Sequence, residues 1–361
     1  MPVPHEAADA KNSRWRRLLG WRPDPLIVLI ILAVIIAIIF PARGEFAEGF
    51  SLATKLAIGL LFFLYGARLS PQEALAGLKH WRLHAVILAF TFVLFPLVGL
   101  ALKPLDLVLA QGLYLGVLYM CLVPSTVQSS VNFTSIAHGN VAGSIVSASA
   151  SNLLGILVTP VLVMLLMGGS NGVVVDATVF RDISLQLLLP FAIGQLTRRW
   201  TFRFAAAKAT RNVDRISIAM VVYSAFSQGM VDGVWSRVPV SDIIWLCLLS
   251  IILVEVLLRL AGWTATRLGF DRADRIAIQF CGSKKSLATG LPMAAVIFGS
   301  AAGTIIVPLM IFHQIQLMIC AVYAAKWGKE YEQETGSSSG SSSGGGSSLN
   351  PSTESSSGSN A

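Results

Sequence analysis

The chain has 361 residues, of which 54% are hydrophobic and 13% are charged, and its formal net charge is +8. A soluble chain of this length needs far more charged surface, so the composition excludes a soluble two-domain protein. Most Lys and Arg residues flank long apolar runs such as Ile27–Phe40 and Ala85–Leu102. A helix that crosses a hydrocarbon core of about 30 Å needs roughly 20 such residues. The bilayer also explains the flanking charges, so no nucleic-acid partner is predicted.

In chain order, the apolar runs predict an all-α integral membrane protein of about ten transmembrane helices. We place the spans at 25–41, 51–68, 82–102, 107–137, 139–168, 180–197, 213–230, 241–262, 275–299 and 301–326. The fourth run is too long, and in its second half too polar, to be one simple span. Because Pro124 lies near its middle, this run is predicted to form two half-helices.

The distribution of basic residues orients these spans. Lys and Arg are concentrated before the first span, in the second, sixth and eighth loops and after the last span. The loops on the opposite side hold only Arg43, Lys103, Arg181 and Arg237. Because Lys and Arg resist translocation, both termini are predicted to be cytoplasmic, in a multi-pass protein of the plasma or bacterial inner membrane.

The predicted domains are a basic cytoplasmic N-terminus (1–24), a first five-helix repeat (25–168), a second (180–326) and a cytoplasmic tail (336–361). The tail is almost wholly Ser and Gly, so it cannot bury a core and is predicted to be disordered. The four cysteines lie inside apolar runs without metal-ligand or disulfide spacing. We interpret them as small buried hydrophobes, and no cofactor is predicted.

The two five-helix units are related by an internal repeat. Shifting the chain by 160 residues aligns the spans without a gap and places Gly139–Val146 on Gly299–Ile306. Membrane helices also resemble one another by chance, because small residues recur in them. The match includes polar positions, however, and an odd number of spans per unit gives the second unit the opposite orientation. Inverted repeats of this kind are typical of secondary transporters.

Polar sequence interrupts the two units at matching places, Pro124–Ser135 and Gln279–Gly290. Unpaired backbone groups in hydrocarbon cost several kcal/mol each, so broken helices persist only where protein or water covers them. Freed carbonyls and hydroxyls can coordinate a small cation, and half-helix N-termini attract anions. With the adjoining fifth span, the breaks give the predicted substrate or ion pathway: Gln128, Ser129, Ser130, Asn132, Ser147, Ser151, Asn152, Gln279, Ser283, Lys284, Lys285, Ser286 and Thr289.

Alternative roles stay open for several of these residues. Lys284 and Lys285 lie about 15 Å from Arg275 if the segment is helical, which makes snorkelling to an interface difficult. We therefore predict that at least one faces the central cavity, as a fixed cation or an anion anchor. Glu255 either pairs with Arg259, four residues on, or is an intramembrane counter-ion to a lysine or a proton or sodium site.

Other polar residues of the apolar runs have less distinctive patterns. Gln128, Asn132 and Asn152 are expected to line a cavity and not merely to bridge helices. Ser144, Ser147, Ser149 and Ser151 include residues that only permit close helix packing. His138 is interpreted as structural at a short cytoplasmic turn, and His313, with Gln314 and Gln316, as a weaker pathway candidate.

The stretches Leu188–Gln195, Val123–Gly155 and Phe280–Gly290 resemble the bile acid/sodium symporter family, over about residues 22–330. The resemblance is strongest to its atypical branch of symporter-like bacterial proteins and the seventh member of solute carrier family 10. It implies a panel domain, a core domain and discontinuous fourth and ninth helices that cross near the substrate site. It also implies a first sodium site, for which Ser130 and Asn132, with hydroxyls among Ser144, Ser147 and Ser151, are the nearest matches.

The ninth-helix motif departs from the family pattern of a Glu just before its glycine break and a Gln just after. This chain has Gln279 or Phe280 near the first position and Lys284 at the second. The change removes a carboxylate and adds cations, so the second sodium site is predicted to be absent.

The sequence therefore predicts a secondary active transporter that moves a small organic anion by alternating access, with sodium as a candidate coupling ion. The alternative is a membrane regulatory protein that keeps the transporter fold without transport. An intramembrane enzyme is disfavoured, because the chain has no HExxH and no paired intramembrane Asp residues, and GxSxG occurs only at the end of the fifth span (168–172) and in the Ser/Gly tail.

Overall fold

The computed structural model describes residues 25–68, 80–110, 112–168, 184–231, 233 and 239–340. The predicted N-terminal segment 1–24 and residues 341–361 of the predicted tail lie outside this part, as do Arg181 and Arg237 of the loops. Every regular element within the described residues is a helix. The predicted all-helical class is therefore confirmed.

The helices follow one another along the chain with short connections. They are α1 (Pro25–Ile39), α2 (Gly44–Arg68), α3 (Trp81–Ala101), α4 (Leu113–Leu122), α5 (Gln128–Ile136), α6 (Val141–Met167), α7 (Leu185–Leu196), α8 (Arg198–Ala205), α9 (Lys208–Val231), α10 (Val240–Arg267), α11 (Arg272–Gly282), α12 (Leu287–Phe298) and α13 (Ala302–Gly340). The predicted interruption at Pro124 is confirmed, since residues 123–127 are non-helical between α4 and α5.

Five helical stretches of the described residues are long and apolar enough to cross a membrane. They are α2, α3, α6, α10 and the stretch Arg272–Glu334, which contains α11, α12 and most of α13. Shorter apolar helices occur in α1, α4 and α7. Large apolar side chains such as Ile39, Leu165 and Trp245 are exposed on the outer surface. A lipid environment accounts for this exposure, which is unusual on a soluble monomer.

Several predicted boundaries are wrong. The second span is predicted to begin at 51, but α2 begins at Gly44. The fourth span was placed from 107, but α4 begins at Leu113, because Lys103–Leu107 form a 3₁₀ turn and Gly112 adopts a left-handed conformation (φ 90°). The last span was predicted to end at 326, but α13 continues to Gly340. Trp327 packs on Phe280, with ring centroids 5.2 Å apart, so the helix keeps a tertiary contact beyond the predicted end.

One group of helices consists of α1, α2, α7 and α9. In it, α1 packs on α9 and α2 packs on α7. The contact between α2 and α7 is close because both helices place a glycine there: a Cβ on Gly66 would collide with Phe191 O, and one on Gly194 with Phe63 O. Small residues of this kind let membrane helices approach closely. The remaining long helices pack around α4, α12 and α13, where the largest buried cluster lies.

Candidate functional site

The two interrupted helices meet at their breaks. Residues 123–127 separate α4 from α5, and residues 283–286 separate α11 from α12. The backbone N–H of Ser286 donates to the carbonyl of Pro124 at 2.8 Å, so the two breaks are hydrogen-bonded to each other directly. We call this region the crossing.

Most backbone groups freed by the first break have protein partners. Thr159 Oγ1 donates to Leu122 O (2.9 Å), and Asn152 Nδ2 donates to Ser125 O (2.6 Å). Ser125 N donates to Ser151 Oγ at 3.0 Å. The break therefore persists in a buried region because side chains of α6 replace the missing helical hydrogen bonds.

The second break is satisfied in a similar way from α13 and from the first break. Gln316 accepts from Lys285 N (2.9 Å) and donates to Lys285 O (2.8 Å) through the two ends of one buried amide. Ser125 Oγ donates to Cys281 O (2.6 Å), and Ser130 Oγ donates to Phe280 O (3.1 Å). Gln316 was only a weak candidate on sequence, yet it holds the backbone of the crossing.

Contacts at the crossing occur in pairs that are related by the repeat. Ser125 and Lys285 are separated by 160 positions, as are Cys121 and Cys281. Ser125 Oγ donates to Cys281 O, and Lys285 Nζ donates to Cys121 O (2.9 Å). Each half thus supplies a side-chain donor to the equivalent carbonyl of the other half.

The ammonium of Lys285 is fully buried within this crossing. Besides Cys121 O, it donates to Thr91 O (2.9 Å) and Val123 O (2.8 Å), and it lies 4.1 Å from the centroid of the Phe95 ring. Lys284 is equally buried, but its ammonium has no hydrogen-bond partner among the described residues. It lies over the aromatic rings of Phe133 (3.9 Å) and Phe280 (5.2 Å). Such cation–π contacts are strongest where the cation is desolvated.

A cavity of about 450 Å³ opens beside the crossing, between the α1, α2, α7, α9 group and the rest of the protein. Predicted pathway residues that line it are Gln128, Ser129, Asn132, Asn152, Ser286 and Thr289. Thr289 Oγ1 donates to Asn152 Oδ1 at 2.6 Å, which ties α12 to α6 at the cavity wall. The volume of the cavity is in the range of small-molecule binding sites.

Two helix N-termini face this cavity. Gln128 and Ser129, which begin α5, line it, as do Ser286 and Thr289 around the start of α12. Ser286 caps α12, because its Oγ accepts from Thr289 N at 3.3 Å. Helix N-termini carry a positive partial charge, so the cavity is electrostatically suited to an anion.

Arg68, at the end of α2, also lines the cavity and was not among the predicted site residues. Its guanidinium forms a bidentate pair with Asp214 of α9, with contacts of 2.5 and 3.2 Å, and its Nε donates to Ala205 O at 2.7 Å. Sequence reasoning used Arg68 only to orient the chain, since an arginine at a helix end is typical of a cytoplasmic loop. Tyr65, one turn earlier, is a second missed lining residue.

A sequence model of the SBF-like CPA transporter family matches residues 24–329. The chain belongs to this family. It is 48% identical to the uncharacterized protein PA2026 of Pseudomonas aeruginosa over 313 residues, which are 85% of this chain and 93% of the other. It is 45% identical to YfeH of Escherichia coli, whose name describes a proposed symporter, over 86% of this chain and 94% of the other.

A vertebrate relative is sodium/bile acid cotransporter 7-B of Xenopus laevis, 30% identical over 83% of this chain and 90% of the other. The predicted resemblance to bile acid/sodium symporters is thereby confirmed. Together with the apolar helices, these findings identify a multi-pass membrane protein of a transporter family, similar to the bile acid/sodium symporters.

In this SBF-like transporter, other predicted pathway residues lie away from the cavity lining. They are Ser130, Ser147, Ser151, Gln279, Ser283, Lys284 and Lys285. Ser147 contacts His84 Nδ1 (2.6 Å), Ser283 donates to Gln279 O (2.6 Å), and Gln279 donates to Leu258 O (3.3 Å). The predicted cavity-facing lysine is not observed, because carbonyls surround the Lys285 ammonium and aromatic rings that of Lys284.

The two predicted sodium ligands have different surroundings: Ser130 is buried against Phe280 O, whereas Asn132 faces the cavity. Residues two apart on a helix point in different directions. The sodium site stays a prediction. Of the two alternatives for Glu255, the structure has the pair with Arg259 (2.9 Å), and Glu255 also accepts from Tyr323 Oη (2.8 Å). No ion pair joins it to Lys284 or Lys285 among the described residues.

Proposed function

We propose that this protein is a secondary active transporter that moves a small organic anion by alternating access through the cavity beside the crossing. The observation that carries the proposal is the convergence of two half-helix N-termini and Arg68 on one cavity. Among the described residues that line it, none is Asp or Glu. Broken helices whose N-termini point at an anionic group are a recurring arrangement in transporters.

Arg68 is suited to contact the anion directly. A guanidinium has five N–H donors. Asp214 and Ala205 O engage three of them, which leaves two without a partner among the residues that the structure describes. Asp214 also fixes the plane of the guanidinium at the cavity edge. An anchored, always charged donor pair recognises a carboxylate or a similar anion with defined geometry.

The ten-span inverted repeat is part of the proposal, and two features support it. The 160-residue shift places α1 on α7 and α2 on α9. The packed pair α1 and α9 is therefore equivalent to the packed pair α7 and α2. A two-fold relation between the halves requires this equivalence. The paired contacts at the crossing obey the same shift.

The proposed orientation places both termini in the cytoplasm, from the distribution of Lys and Arg. Leu26 and Arg68, which line the cavity, then lie at the cytoplasmic ends of α1 and α2. In this proposed topology the cavity opens toward the cytoplasm, so we assign an inward-facing conformation. The proposed location is the plasma membrane or the bacterial inner membrane.

Sodium is proposed as a coupling ion, on the basis of the oxygen ligands in the cavity and the name of the Xenopus relative. Hydroxyl and amide oxygens of Ser129, Asn132, Asn152 and Thr289 line the same space. Hard cations such as sodium prefer oxygen ligands of this kind. The cation would lie beside the anion and would partly neutralise it during the transition.

The test is uptake of labelled organic anions into proteoliposomes, with and without an inward sodium gradient. For an accepted anion, Arg68→Gln combined with Asp214→Asn is expected to lower flux about 10-fold or more, since a charge-assisted hydrogen bond contributes about 1.5–3 kcal/mol. The double substitution avoids leaving Asp214 without its partner. Arg259→Gln, outside the cavity, is the matched control and should retain flux.

If the double variant and the Arg259→Gln control transport the anion at equal rates, the proposal that Arg68 binds the anion is refuted. If no anion is transported, and if thermal stability is unchanged across sodium and anion panels, the non-transporting regulatory protein becomes the better account.

A further inference from the structure

The surroundings of the Lys285 ammonium are those of a coordinated cation. Three carbonyl oxygens lie within 2.8–2.9 Å of Nζ, which matches its three N–H donors, and the side chain is fully buried. No ion pair involves Lys285 among the described residues. The positive charge is therefore balanced by carbonyl dipoles.

Each of these carbonyls lacks its ordinary helical partner. In α3 the helix widens to a π-helical turn at Phe90–Leu94, where Phe95 N bonds to Phe90 O in place of Thr91 O. The next backbone nitrogen belongs to Pro96, which has no N–H to donate. Thr91 O is thus freed by the local sequence of α3, and it faces the crossing.

The other two carbonyls are freed by the break after α4. Cys121 O would accept from Ser125 N in a continuous helix, but Ser125 N donates to Ser151 Oγ. Val123 lies beyond the end of α4 in an extended conformation. The end of α4 also contributes the negative pole of its helix dipole. Carbonyls of unwound helices and half-helix C-termini are groups that coordinate cations in transporters.

We propose that the carbonyls of Thr91, Cys121 and Val123 form a monovalent-cation site whose occupant is the Lys285 ammonium of the chain itself. The cation at the crossing is then covalently attached and does not exchange with the solution. When the ammonium is removed and its space is left open, the same carbonyls take up a free cation such as sodium, potassium or ammonium. This cation site adds a detail to the proposed function. Its existence does not depend on transport; only its role in ion coupling rests on the proposed function.

The test compares the melting temperatures of the detergent-solubilised full chain, wild type and Lys285→Ala, by tryptophan fluorescence. Both are measured in sodium, potassium, ammonium or tetramethylammonium chloride at equal ionic strength. Tetramethylammonium has the same charge, but it is large and has no N–H donor. We expect Lys285→Ala to melt below wild type in tetramethylammonium. In at least one small cation at saturating concentration, the difference in melting temperature between wild type and Lys285→Ala should be about 5 °C smaller than in tetramethylammonium.

Two variants serve as controls. Lys284→Ala removes an equally buried ammonium that has no carbonyl partner in the described part of the chain, so its difference from wild type should be the same in all four salts. Lys285→Met removes the charge but fills the space, so it should be destabilised without any response to small cations. Because each variant is compared with wild type in the same salt, sodium binding in the cavity affects both and cancels.

The proposal is overturned if Lys285→Ala has the same difference from wild type in every salt, or yields no folded protein in any of them. It is also overturned if a small cation raises the melting temperature of Lys284→Ala as much as that of Lys285→Ala. A Lys285→Met variant that melts at the wild-type temperature would overturn it as well. None of these results depends on flux, so absence of transport would leave the cation site supported and would count only against the proposed function.

Discussion

Replacing Gln316 by Ala tests whether one side chain of α13 supports the second break. The amide is fully buried, accepts from Lys285 N at 2.9 Å and donates to Lys285 O at 2.8 Å. After truncation, Lys285 N–H loses this partner and Lys285 O keeps only the longer contact with His313 Nδ1, at 3.4 Å. A stranded buried group costs about 1–3 kcal/mol, so the variant should lose about 2–6 kcal/mol.

The measurement is thermal unfolding in detergent, where a loss of about 4 kcal/mol lowers the melting temperature by roughly 10 °C. Gln314→Ala is the matched control on the same helix, because Gln314 Oε1 has no hydrogen-bond partner among the described residues. The control should melt within a few degrees of wild type. If the two variants melt at the same temperature, the argument that Gln316 replaces helical hydrogen bonds is refuted.

Two further predictions concern packing and charge. Gly66→Ala should lower the free energy of unfolding by about 3 kcal/mol, because the added Cβ meets the backbone of α7. Gly49→Ala, in the same helix but with open space around it, should not lower it. Equal melting temperatures of the two variants would contradict this. Glu255→Gln should change stability by no more than about 1 kcal/mol and leave ion dependence intact, since its partner Arg259 is 73% exposed. A large change in the sodium dependence of flux would instead make Glu255 part of the coupling mechanism.

The breaks were predictable because their cause is local. Pro124 has no N–H, and the residues after it are small and polar, so an interruption follows from the sequence itself. The cavity-lining residues Gln128, Asn132 and Asn152 were predictable for a related reason, since long amides in apolar runs need either a cavity or a partner.

The direction of the lysines was not predictable, because it depends on a carbonyl from a distant helix. Thr91 O is available only because α3 widens before Pro96, and that pattern was not used as a signal. Pro96 inside the third apolar run could have indicated it. Arg68 was missed for a different reason: its role depends on Asp214, which is 146 residues away, and no local pattern pairs them.

The hydrogen bond between Ser286 N and Pro124 O has a consequence for how the protein can move. Together with the Gln316, Ser151 and Lys285 contacts, it makes the crossing a unit whose buried polar groups are satisfied only while its helices stay together. Pulling the broken helices apart would strand several of these groups at once, at about 1–3 kcal/mol each. A displacement of the whole unit against the α1, α2, α7, α9 group, along the cavity between them, breaks none of these hydrogen bonds. We therefore expect this motion to cost less free energy. The polar crossing is therefore expected to move as one rigid unit, and the packing changes are expected at the boundary around it.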